Sequence, residues 1–376
     1  SSERVAVSLG HGRVLREAVA APGPIPAFVA SVMDGYAVDA SGLTSPWSLP
    51  VVGESRAGRL PPPLAPGSAM RIFTGAPLPE GANTVVLQEN VSAADGRVSS
   101  SHPSRVGDHI RAAGVDLQMG AVALASGSRL GPGALMLCAQ LDRTHVVVSV
   151  RPRVTILCTG DELRSPGEPG PAGTIAEGNS LGLVALAAEA GAALTVGPRV
   201  RDTLDATCAA IEQALAASDL VVTVGGASVG DHDHVGAALR ALGVDLVFWK
   251  VALKPGKPLM LGRRGGQRVL AVPGNPASAL VTFGLFGVPL LRAMQADQAP
   301  LPEPVPVRLA VGVRRNAERT TALLGRIVGG RFRLHTNQSS SSTLALAESD
   351  GLALLAPGPA PARAGSIVSY LPWRVL

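Results

Sequence analysis

Lysine is nearly absent from this chain of 376 residues, and its three copies fall within eight consecutive positions. They are Lys250, Lys254 and Lys257, in the segment FWKVALKPGKP, and the other thirty basic side chains are arginines. Lysine presents a compact charge with three rotatable donors, whereas arginine presents a flat fork. The cluster therefore predicts a site for a small anion, such as a phosphate or a tetrahedral oxyanion. A solvated basic face is the alternative interpretation.

Aromatic residues and cysteines are also scarce. Aromatic residues make up 3% of the chain and the arginines are scattered, so we expect no surface for nucleic acid. Cys138, Cys158 and Cys208 are widely spaced and odd in number, which predicts buried free thiols rather than disulfides or a cysteine–metal site. The formal net charge of +5 favours an anionic ligand.

Long hydrophobic runs are missing as well. No apolar run reaches the roughly 18 residues that a bilayer span requires, and the longest, 279–291, contains two glycines and a proline. The amino terminus shows no charged-then-apolar leader. Hydrophobic residues nevertheless make up 46% of the chain, enough for large buried cores. We therefore expect a soluble cytoplasmic protein that does not engage a membrane.

The texture of the chain changes along its length. Residues 1–150 are rich in glycine and proline and carry short apolar runs, which predicts β structure with irregular connections. Residues 151–298 alternate apolar runs with helical patterns, which predicts a parallel sheet with helices on both faces. After the stiff linker LPEPVP, short β-like runs without a helical period predict a small terminal β domain. The predicted helices are 135–141, 180–190, 204–217, 234–242 and 276–294, and the predicted central strands are 154–158, 194–196, 220–224, 245–251 and 269–272.

Two of these helices each have two candidate caps, and a third contains a predicted irregularity. Asn179 or Ser180 is expected to cap the first, and Asp202 or Thr203 the second. The helix 276–294 is expected to bend near Gly287–Pro289.

Polar, turn-rich loops follow the predicted central strands. In an open parallel sheet, ligands bind beyond the carboxyl ends of the strands. The loops TGDEL, GGASVGDHDH and PGNPASA follow three such strands, and the lysine segment follows a fourth. The glycines Gly225, Gly226 and Gly230 would let backbone N–H groups approach an anion, and Ser228 adds a hydroxyl. An ordinary turn is the alternative for this loop.

The third loop precedes a predicted helix. Asn275 can cap that helix and Pro276 can occupy its first turn, which would bring the positive end of the helix dipole to the same edge. A purely structural cap explains these residues equally well.

Carboxylates in the same loops are candidate metal or acid–base groups. They are Glu162, Asp202 and Asp233, although helix capping alone would explain Asp202. On a helix His232 and His234 would point about 200° apart, so an oxygen-only Mg²⁺ site with a carboxylate and a ligand phosphate is favoured over a histidine–metal site.

Two turns stand out in the amino-terminal part. Asp34 and Thr74 each lie beside a glycine after an apolar stretch. Taken singly, each is interpreted as a turn rather than a site.

Six motifs together resemble the molybdopterin molybdenumtransferase family, known as MoeA and including the gephyrin E domain. They occur in family order over nearly the whole chain: MDGYAV, TGAP, TGDEL, GGASVGDHD, FWKVALKPGKP and VPGNPASA. The resemblance implies a multi-domain α/β protein with a parallel α/β molybdopterin-binding domain, an inserted β-rich domain and a C-terminal β barrel. The implied boundaries are an extended dimerisation domain at 1–28 and 119–150, the inserted domain at 29–118, the α/β domain at 151–298 and the C-terminal domain at 299–376.

The resemblance also implies an activity: insertion of molybdate into adenylylated molybdopterin, with release of AMP and the molybdenum cofactor, assisted by Mg²⁺. It implies a homodimer whose active site is shared between subunits. By motif, the catalytic residues would be Asp34 and Thr74 of the partner subunit with Glu162, Asp202, Asp233, Lys250 and Lys254. The binding residues would be Gly225, Gly226, Ser228, Lys257, Pro258, Pro273, Gly274, Asn275, Pro276, Ser278 and Arg319, and the metal ligands Glu162 and Asp233.

The chain departs from the family pattern in four places. The segment FVASVMD stands where the family has FDxSAMD, Val115 replaces a glutamate, the segment Ile175–Asn179 lacks an aromatic ring and a hydroxyl, and the amino-terminal segment is short. These departures leave open a weakened paralogue that serves as a molybdopterin-binding scaffold. Adenylyl transfer to molybdopterin is a third hypothesis, against which the extra terminal regions argue. A molybdopterin adenylyltransferase is the candidate partner that would deliver the substrate.

Overall fold

The structure is a computed structural model that describes residues 1–226 and 234–373. The chain forms two compact units. The first unit comprises Ser1–Arg16, Gly127–Gly131 and Val147–Leu376, and the second comprises Glu17–Ser126 and Pro132–Val146. Each unit is a group of residues that contact one another more than they contact the rest of the chain. The finer division into four domains stays a prediction.

The amino-terminal part is built mainly of short strands. They are β1 (Ser2–Ala6), β2 (Val19–Ala20), β3 (Ala30–Ser31), β4 (Gly35–Val38), β5 (Trp47–Ser55), β6 (Ala69–Ile72), β7 (Thr84–Leu87), β8 (Ser92–Ala94), β9 (Arg97–Ser100), β10 (Ile110–Arg111), β11 (Val122–Leu124) and β12 (His145–Ser149). Two single 3₁₀ turns (Val7–Leu9 and Gln88–Asn90) and helix α1 (Pro132–Gln140) complete this part. The predicted β texture and the predicted helix at 135–141 are both confirmed.

A six-stranded sheet organises the second unit, in the order β7-β4-β6-β5-β9-β8. Strand β4 lies between β7 and β6 and is antiparallel to both. Gly35 opens β4, and a Cβ atom there would lie 2.1 Å from the carbonyl oxygen of Val86. Glycine is therefore required by this close approach of two strands. Met70 and Ile72 fill the core on one face, and Trp47 and Val98 pack on the other.

The central part of the chain alternates strands and helices. Its strands are β13 (Arg153–Cys158), β14 (Leu163–Arg164), β15 (Ile175–Ala176), β16 (Ala193–Val196), β17 (Leu220–Val224), β18 (Asp245–Trp249), β19 (Leu253–Lys254), β20 (Met260–Arg264) and β21 (Gln267–Val272). Its helices are α2 (Asn179–Glu189), α3 (Leu204–Ala217), α4 (His234–Ala241), α5 (Pro276–Thr282) and α6 (Val288–Met294), with a π-helical turn, Phe283–Gly287, between the last two.

The central sheet has the order β16-β13-β17-β21-β20-β18. The predicted parallel arrangement is confirmed for the first four strands. Strand β20 was missed: it is short, ends in two arginines and forms a hairpin with β21. Because β20 is antiparallel to both neighbours, β18 runs in the same direction as the four parallel strands. The lysine segment therefore begins at the same sheet edge as the three polar loops.

Helices cover both faces of this sheet, as predicted. Helices α2, α5 and α6 pack on one face, where Phe283 is among the largest fully buried side chains. Helices α3 and α4 pack on the other face against Val221 and Val269. Every residue of β17 is buried, which is expected for a strand with a core on each side.

One helix cap differs from the prediction and the other agrees with it. Gly178 precedes α2 as its N-cap residue, and the carboxylate of Glu177 accepts the Ser180 N–H at 2.9 Å, so the expectation of a cap at Asn179 or Ser180 was wrong. Thr203 caps α3, because its hydroxyl oxygen accepts the Ala206 N–H at 3.3 Å. Asp202 is thus left without a capping role.

The segment 276–294 forms one continuous helix that contains the π-helical turn. The irregularity lies just before Pro289, a residue that has no N–H to donate to the preceding turn. By length and composition alone, these 19 residues could cross a membrane, whereas the sequence led us to expect no apolar run of that length. However, 61% of the apolar window is buried inside the fold, as in a core helix.

The terminal part forms the expected barrel. Its strands are β22 (Val305–Leu309), β23 (Thr320–Val328), β24 (Arg331–Leu334), β25 (Gly351–Leu355) and β26 (Ile367–Pro372). Pairing of β23 with β25 closes the order β23-β24-β22-β26-β25 into a five-stranded barrel. A short helix, α7 (Thr343–Ala347), is also present, and its five residues are too few to show a period in the sequence.

A histidine–carboxylate pair on the barrel gives a pH-dependent prediction. His335 Nε2 lies 2.8 Å from Glu348 Oε2, and this bond raises the pKa of His335. A raised folded-state pKa stabilises the fold below the ordinary histidine pKa of about 6.5, and this stabilisation is lost as the pH rises through the raised pKa. Glu348→Gln should therefore lower the melting temperature at about pH 5.5 and have little effect at about pH 9, by thermal unfolding.

Glu303→Gln is the matched control, because Glu303 forms no salt bridge with a described residue. An equal loss of melting temperature for Glu348→Gln at both pH values would contradict the charge-based account.

Candidate functional site

Three strand-end loops meet closely at one edge of the central sheet. A Cβ atom on Gly225 would lie 2.9 Å from the Thr159 carbonyl oxygen, and one on Gly274 would lie 3.3 Å from the Gly225 Cα. The loops after β13, β17 and β21 therefore pack backbone against backbone. Glycine is needed at these positions for that approach, and the same approach leaves backbone groups at the floor of a cavity.

The first cavity at this edge, here called the acidic cavity, has a volume of about 590 Å³. Nine of the predicted site residues line it: Glu162, Asp202, Gly225, Gly226, Pro258, Pro273, Gly274, Asn275 and Pro276. Its charged lining residues are Glu162, Glu177 and Asp202, and no basic side chain is among its described lining residues.

Backbone contacts hold the loops that carry these carboxylates. Asp161 N–H donates to Asp202 Oδ2 at 3.4 Å, and Asp202 N–H donates to Asp161 Oδ1 at 3.3 Å. The Ile175 N–H donates to the Glu162 carbonyl at 2.8 Å. Neither Glu162 nor Asp202 forms a salt bridge with a described residue.

The segment Ile175–Asn179, which departs from the family pattern, forms a wall of the acidic cavity. Its Glu177 accepts the backbone N–H of Ser180 at 2.9 Å, and Asn179 donates from its side chain to the Gly274 carbonyl at 2.7 Å. The segment thus connects α2 to the loop after β21. Sequence reasoning assigned no role to Glu177.

The cysteines are free, as predicted. Cys138 and Cys158 are buried and Cys208 is half-buried. Cys158 borders the acidic cavity, where burial raises the pKa of its thiol far above the ordinary value and the Glu177 carboxylate raises it further. The thiol therefore stays protonated and chemically inert at neutral pH.

A second cavity of about 590 Å³, here called the basic cavity, adjoins the first and shares Pro258 with it. Five of the predicted residues line it: Lys254, Lys257, Pro258, Ser278 and Arg319. Its five charged lining residues are Lys254, Lys257, Arg314, Arg315 and Arg319, and no acidic side chain is among its described lining residues. None of the five forms a salt bridge with a described residue.

The lysine segment is a closed loop. Backbone bonds of 2.9 Å join Lys250 N–H to the Leu259 carbonyl and Val251 N–H to the Lys257 carbonyl. Within it, β19 pairs in parallel with β23 of the barrel. Gly256 has a φ of +115° and lies so close to Thr282 that a Cβ atom would come within 2.3 Å of its Cγ2. These constraints hold Lys254 and Lys257 at the basic cavity.

Lys250 lies apart from the other two lysines. It has a φ of +72°, and its Nζ is 4.4 Å from the centre of the Trp249 ring. It is not among the residues that line either cavity.

In the second unit, the structure joins two turns that the sequence suggested only singly. Thr74 donates to Asp34 Oδ1 from both its backbone N–H and its hydroxyl, at 2.7 Å each. The two turns meet because β4 begins opposite the end of β6, with Gly35 paired to Ile72. The Thr74 backbone bond, then the hydroxyl bond and the charge of Arg71 lower the pKa of Asp34.

Two predicted site residues, Ser228 and Asp233, lie outside the described residues, as do Gly230 and His232. Over residues 1–226 and 234–373, no group of three or more histidine, cysteine, aspartate or glutamate side chains could hold a metal ion.

Several lining residues were missed by sequence reasoning. In the basic cavity they include Arg314, Arg315 and Ser340, and in the acidic cavity Ser341 and Thr343. The signals available were the paired arginines and the run of four serines at 339–342. The serine run reaches both cavities, and the Ala277 N–H of α5 donates to the Ser340 carbonyl at 2.9 Å.

The two hydrogen bonds from Thr74 to Asp34 lead to a prediction about the titration of the Asp34 carboxyl. Thr74→Val removes the hydroxyl bond but keeps the backbone bond, so the pKa of Asp34 should rise part of the way towards its ordinary value of about 3.9. Thr74→Ser retains both donors and should leave the titration unchanged. Carbon-13 NMR of the Asp34 carboxyl measures it, and identical curves for the valine and serine variants would refute the role of the hydroxyl.

Comparison with known proteins gives the family. Family models match three segments: the MoeA N-terminal region (domain I and II) at residues 1–141, a probable molybdopterin binding domain at 155–293 and the MoeA C-terminal region (domain IV) at 306–373. Molybdopterin molybdenumtransferase from Nostoc sp. is 35% identical over 95% of this chain and 85% of its own length. Molybdopterin molybdenumtransferase 2 from Mycobacterium tuberculosis is 39% identical over 82% of this chain and 78% of its own length.

Solved structures agree with the sequence relatives. A crystal structure of the molybdopterin biosynthesis MoeA protein from Pyrococcus horikoshii is 26% identical, with a TM-score of 0.85 over 98% of this chain and 94% of that one. The chain therefore belongs to the MoeA family of molybdopterin molybdenumtransferases.

Proposed function

We propose that this protein inserts molybdate into adenylylated molybdopterin, releasing AMP and the molybdenum cofactor. The observation that carries the proposal is the pair of adjoining cavities of opposite charge that share Pro258. A small metal oxyanion and a nucleotide-linked pterin need different surroundings, and two such cavities side by side supply both. Membership in a family of molybdopterin molybdenumtransferases supports the same reaction.

The basic cavity suits molybdate, a tetrahedral dianion. The ammonium groups of Lys254 and Lys257 can rotate their donors onto its oxygens, and the Arg319 guanidinium adds a fixed fork. The hydroxyls of Ser278 and Ser340 belong to the same lining and can replace water in the shell of the anion. With no carboxylate among the described lining residues, these cations are free to bind the anion.

The acidic cavity suits the pterin and nucleotide portion of the substrate. Pterin and adenine rings carry N–H groups, and the carboxylates of Glu162, Glu177 and Asp202 can accept hydrogen bonds from them. The closely packed glycines Gly225 and Gly274 leave backbone groups accessible to the phosphates. The reacting phosphate would lie near Pro258, where the two cavities join.

The residues present fit Mg²⁺ in the manner usual for phosphate substrates. Mg²⁺ is bound by one or two carboxylates together with substrate phosphate oxygens, and Glu162 and Asp202 line one cavity without a basic partner among the described residues. Asp233, the second predicted metal ligand, remains a proposal. When bound, Mg²⁺ supplies neutralisation of the phosphate charge as the pyrophosphate link breaks.

A homodimer would complete the site. We infer that the Asp34–Thr74 pair of one subunit serves the cavities of the other, as a prebuilt carboxylate and hydroxyl. Lys250 remains a proposed catalytic residue, although it lines neither cavity. Three free cysteines support a reducing compartment such as the cytoplasm.

The activity can be tested directly. Purified protein supplied with adenylylated molybdopterin, molybdate and Mg²⁺ should release AMP in proportion to the cofactor formed. A folded protein that yields no AMP would refute the proposal. Tight pterin binding without AMP release would support the scaffold alternative, and consumption of ATP would support adenylyl transfer. Among the described residues, no observation favours either alternative.

Lys254→Arg tests why lysine is needed. The flat fork cannot rotate three donors onto one small anion, so we expect kcat/KM for molybdate to fall about 10- to 100-fold, equivalent to one charge-assisted hydrogen bond of about 1.5–3 kcal/mol. High molybdate should restore part of the rate, as AMP release will show.

Arg326→Lys is the control for this substitution. It exchanges one cation for another at an exposed position of the barrel strand β23, outside both cavities. Wild-type dependence on molybdate in Lys254→Arg would remove the special role assigned to lysine.

A further inference from the structure

One guanidinium in the second unit contacts both turns that carry the Asp34–Thr74 pair. Arg71 lies opposite Tyr36 in the register of β6 with β4. Its guanidinium carbon is 5.1 Å from the ring centre of Tyr36 and 5.1 Å from that of Phe73. Tyr36 follows Asp34 by two positions, and Phe73 immediately precedes Thr74. The cation therefore links the two chain segments whose side chains form the pair.

Hydrogen bonds from the same group hold the backbone beside Asp34. Arg71 Nη1 donates to the Gly35 carbonyl at 3.2 Å, and Nη2 donates to Gln88 Oε1 at 2.6 Å. The Gln88 backbone N–H in turn donates to the Asp34 carbonyl at 3.2 Å. Gln88 and Arg71 thus hold the backbone carbonyls of Asp34 and Gly35, respectively.

The charge of Arg71 also acts on the carboxylate. It lowers the pKa of Asp34, after the two bonds from Thr74. The charges of Glu54 on β5 and of Arg56 just after it compensate each other, because Arg56 Nη2 lies 2.6 Å from Glu54 Oε1. Arg71 has no salt bridge with a described residue, so its charge is available to Asp34.

We propose that Arg71 is a positioning residue: stacked between Tyr36 and Phe73 and bonded to the Gly35 carbonyl, it holds Asp34 and Thr74 as one rigid unit. This inference rests on the proposed function for the catalytic use of the pair, but its structural part does not. If a catalytic carboxylate and hydroxyl are displaced by about 1 Å, the reaction rate can fall about 100-fold. The contacts of Arg71 therefore matter for catalysis although Arg71 itself need not touch the substrate.

Arg71→Ala tests the proposal by NMR and by kinetics. Loss of the cation and of the bond to Gly35 should raise the pKa of Asp34, and the acid limb of the pH–rate profile should move to higher pH with it. We expect kcat for AMP release to fall about 10- to 100-fold, with little change in KM for molybdate, because Arg71 is not among the residues lining the basic cavity.

Arg71→Lys separates charge from geometry. Lysine keeps the positive charge and the contact with the rings but lacks the fork that reaches Gly35 and Gln88 together. The pKa of Asp34 should return most of the way to the wild-type value, whereas kcat should recover only in part. Full recovery of kcat by lysine would overturn the positioning role in favour of a purely electrostatic one.

Arg56→Ala is the matched control. The Arg56 guanidinium carbon lies 5.9 Å from the centre of the same Phe73 ring, but its side chain is 67% exposed and is bonded to Glu54. In this control, the pKa of Asp34 and kcat for AMP release should equal those of the wild type. An Arg71→Ala variant with a lower melting temperature but an unchanged pH–rate profile and Asp34 titration would overturn the proposal.

The two proposals fail in different ways. If Asp34→Ala leaves AMP release unchanged, the pair has no part in the reaction, and the catalytic role of Arg71 falls with it. The Asp34 titration in Arg71→Ala would still decide whether Arg71 holds the pair, because that measurement needs no substrate.

Discussion

The candidate site depends on a short parallel pairing between two parts of the first unit. Strand β19, only Leu253–Lys254, pairs with the start of β23, and the Thr320 N–H donates to the Ala252 carbonyl at 2.9 Å. This contact brings the lysine loop of the α/β part to the edge of the barrel. Lysines from one and arginines from the other thereby line a single cavity. Without the pairing, neither part alone would gather five cations.

The resulting separation of charge gives the site a direction. Carboxylates line one cavity and cations line the next, with Pro258 common to both. A substrate with N–H-rich rings at one end and an oxyanion partner at the other can satisfy both cavities in only one orientation, because the reverse placement opposes like charges. Under the proposed function, this arrangement would therefore set the order of the reacting groups through electrostatics.

Local patterns in the sequence predicted the elements that carry the loops. The central strands and helices have clear periods, and the scarcity of lysine indicated where the anion site begins. The missed features depend on contacts between distant segments. Thr74 reaches Asp34 across 40 positions through the register of β4 and β6, and Arg314 and Arg315 reach the lysines only through the pairing of β19. No periodicity reports such contacts, and β20 and α7 are too short to show one.

The cations of the basic cavity, which form no salt bridge with a described residue, destabilise the ligand-free protein. Like charges gathered without a counter-charge repel one another, and the backbone bonds of the lysine loop must hold them together against that repulsion. Any multivalent anion that enters relieves it and binds the folded chain in preference to the unfolded one. The folded state is therefore coupled to the surrounding buffer: sulfate or phosphate will act on this protein as ligands and not as inert salts.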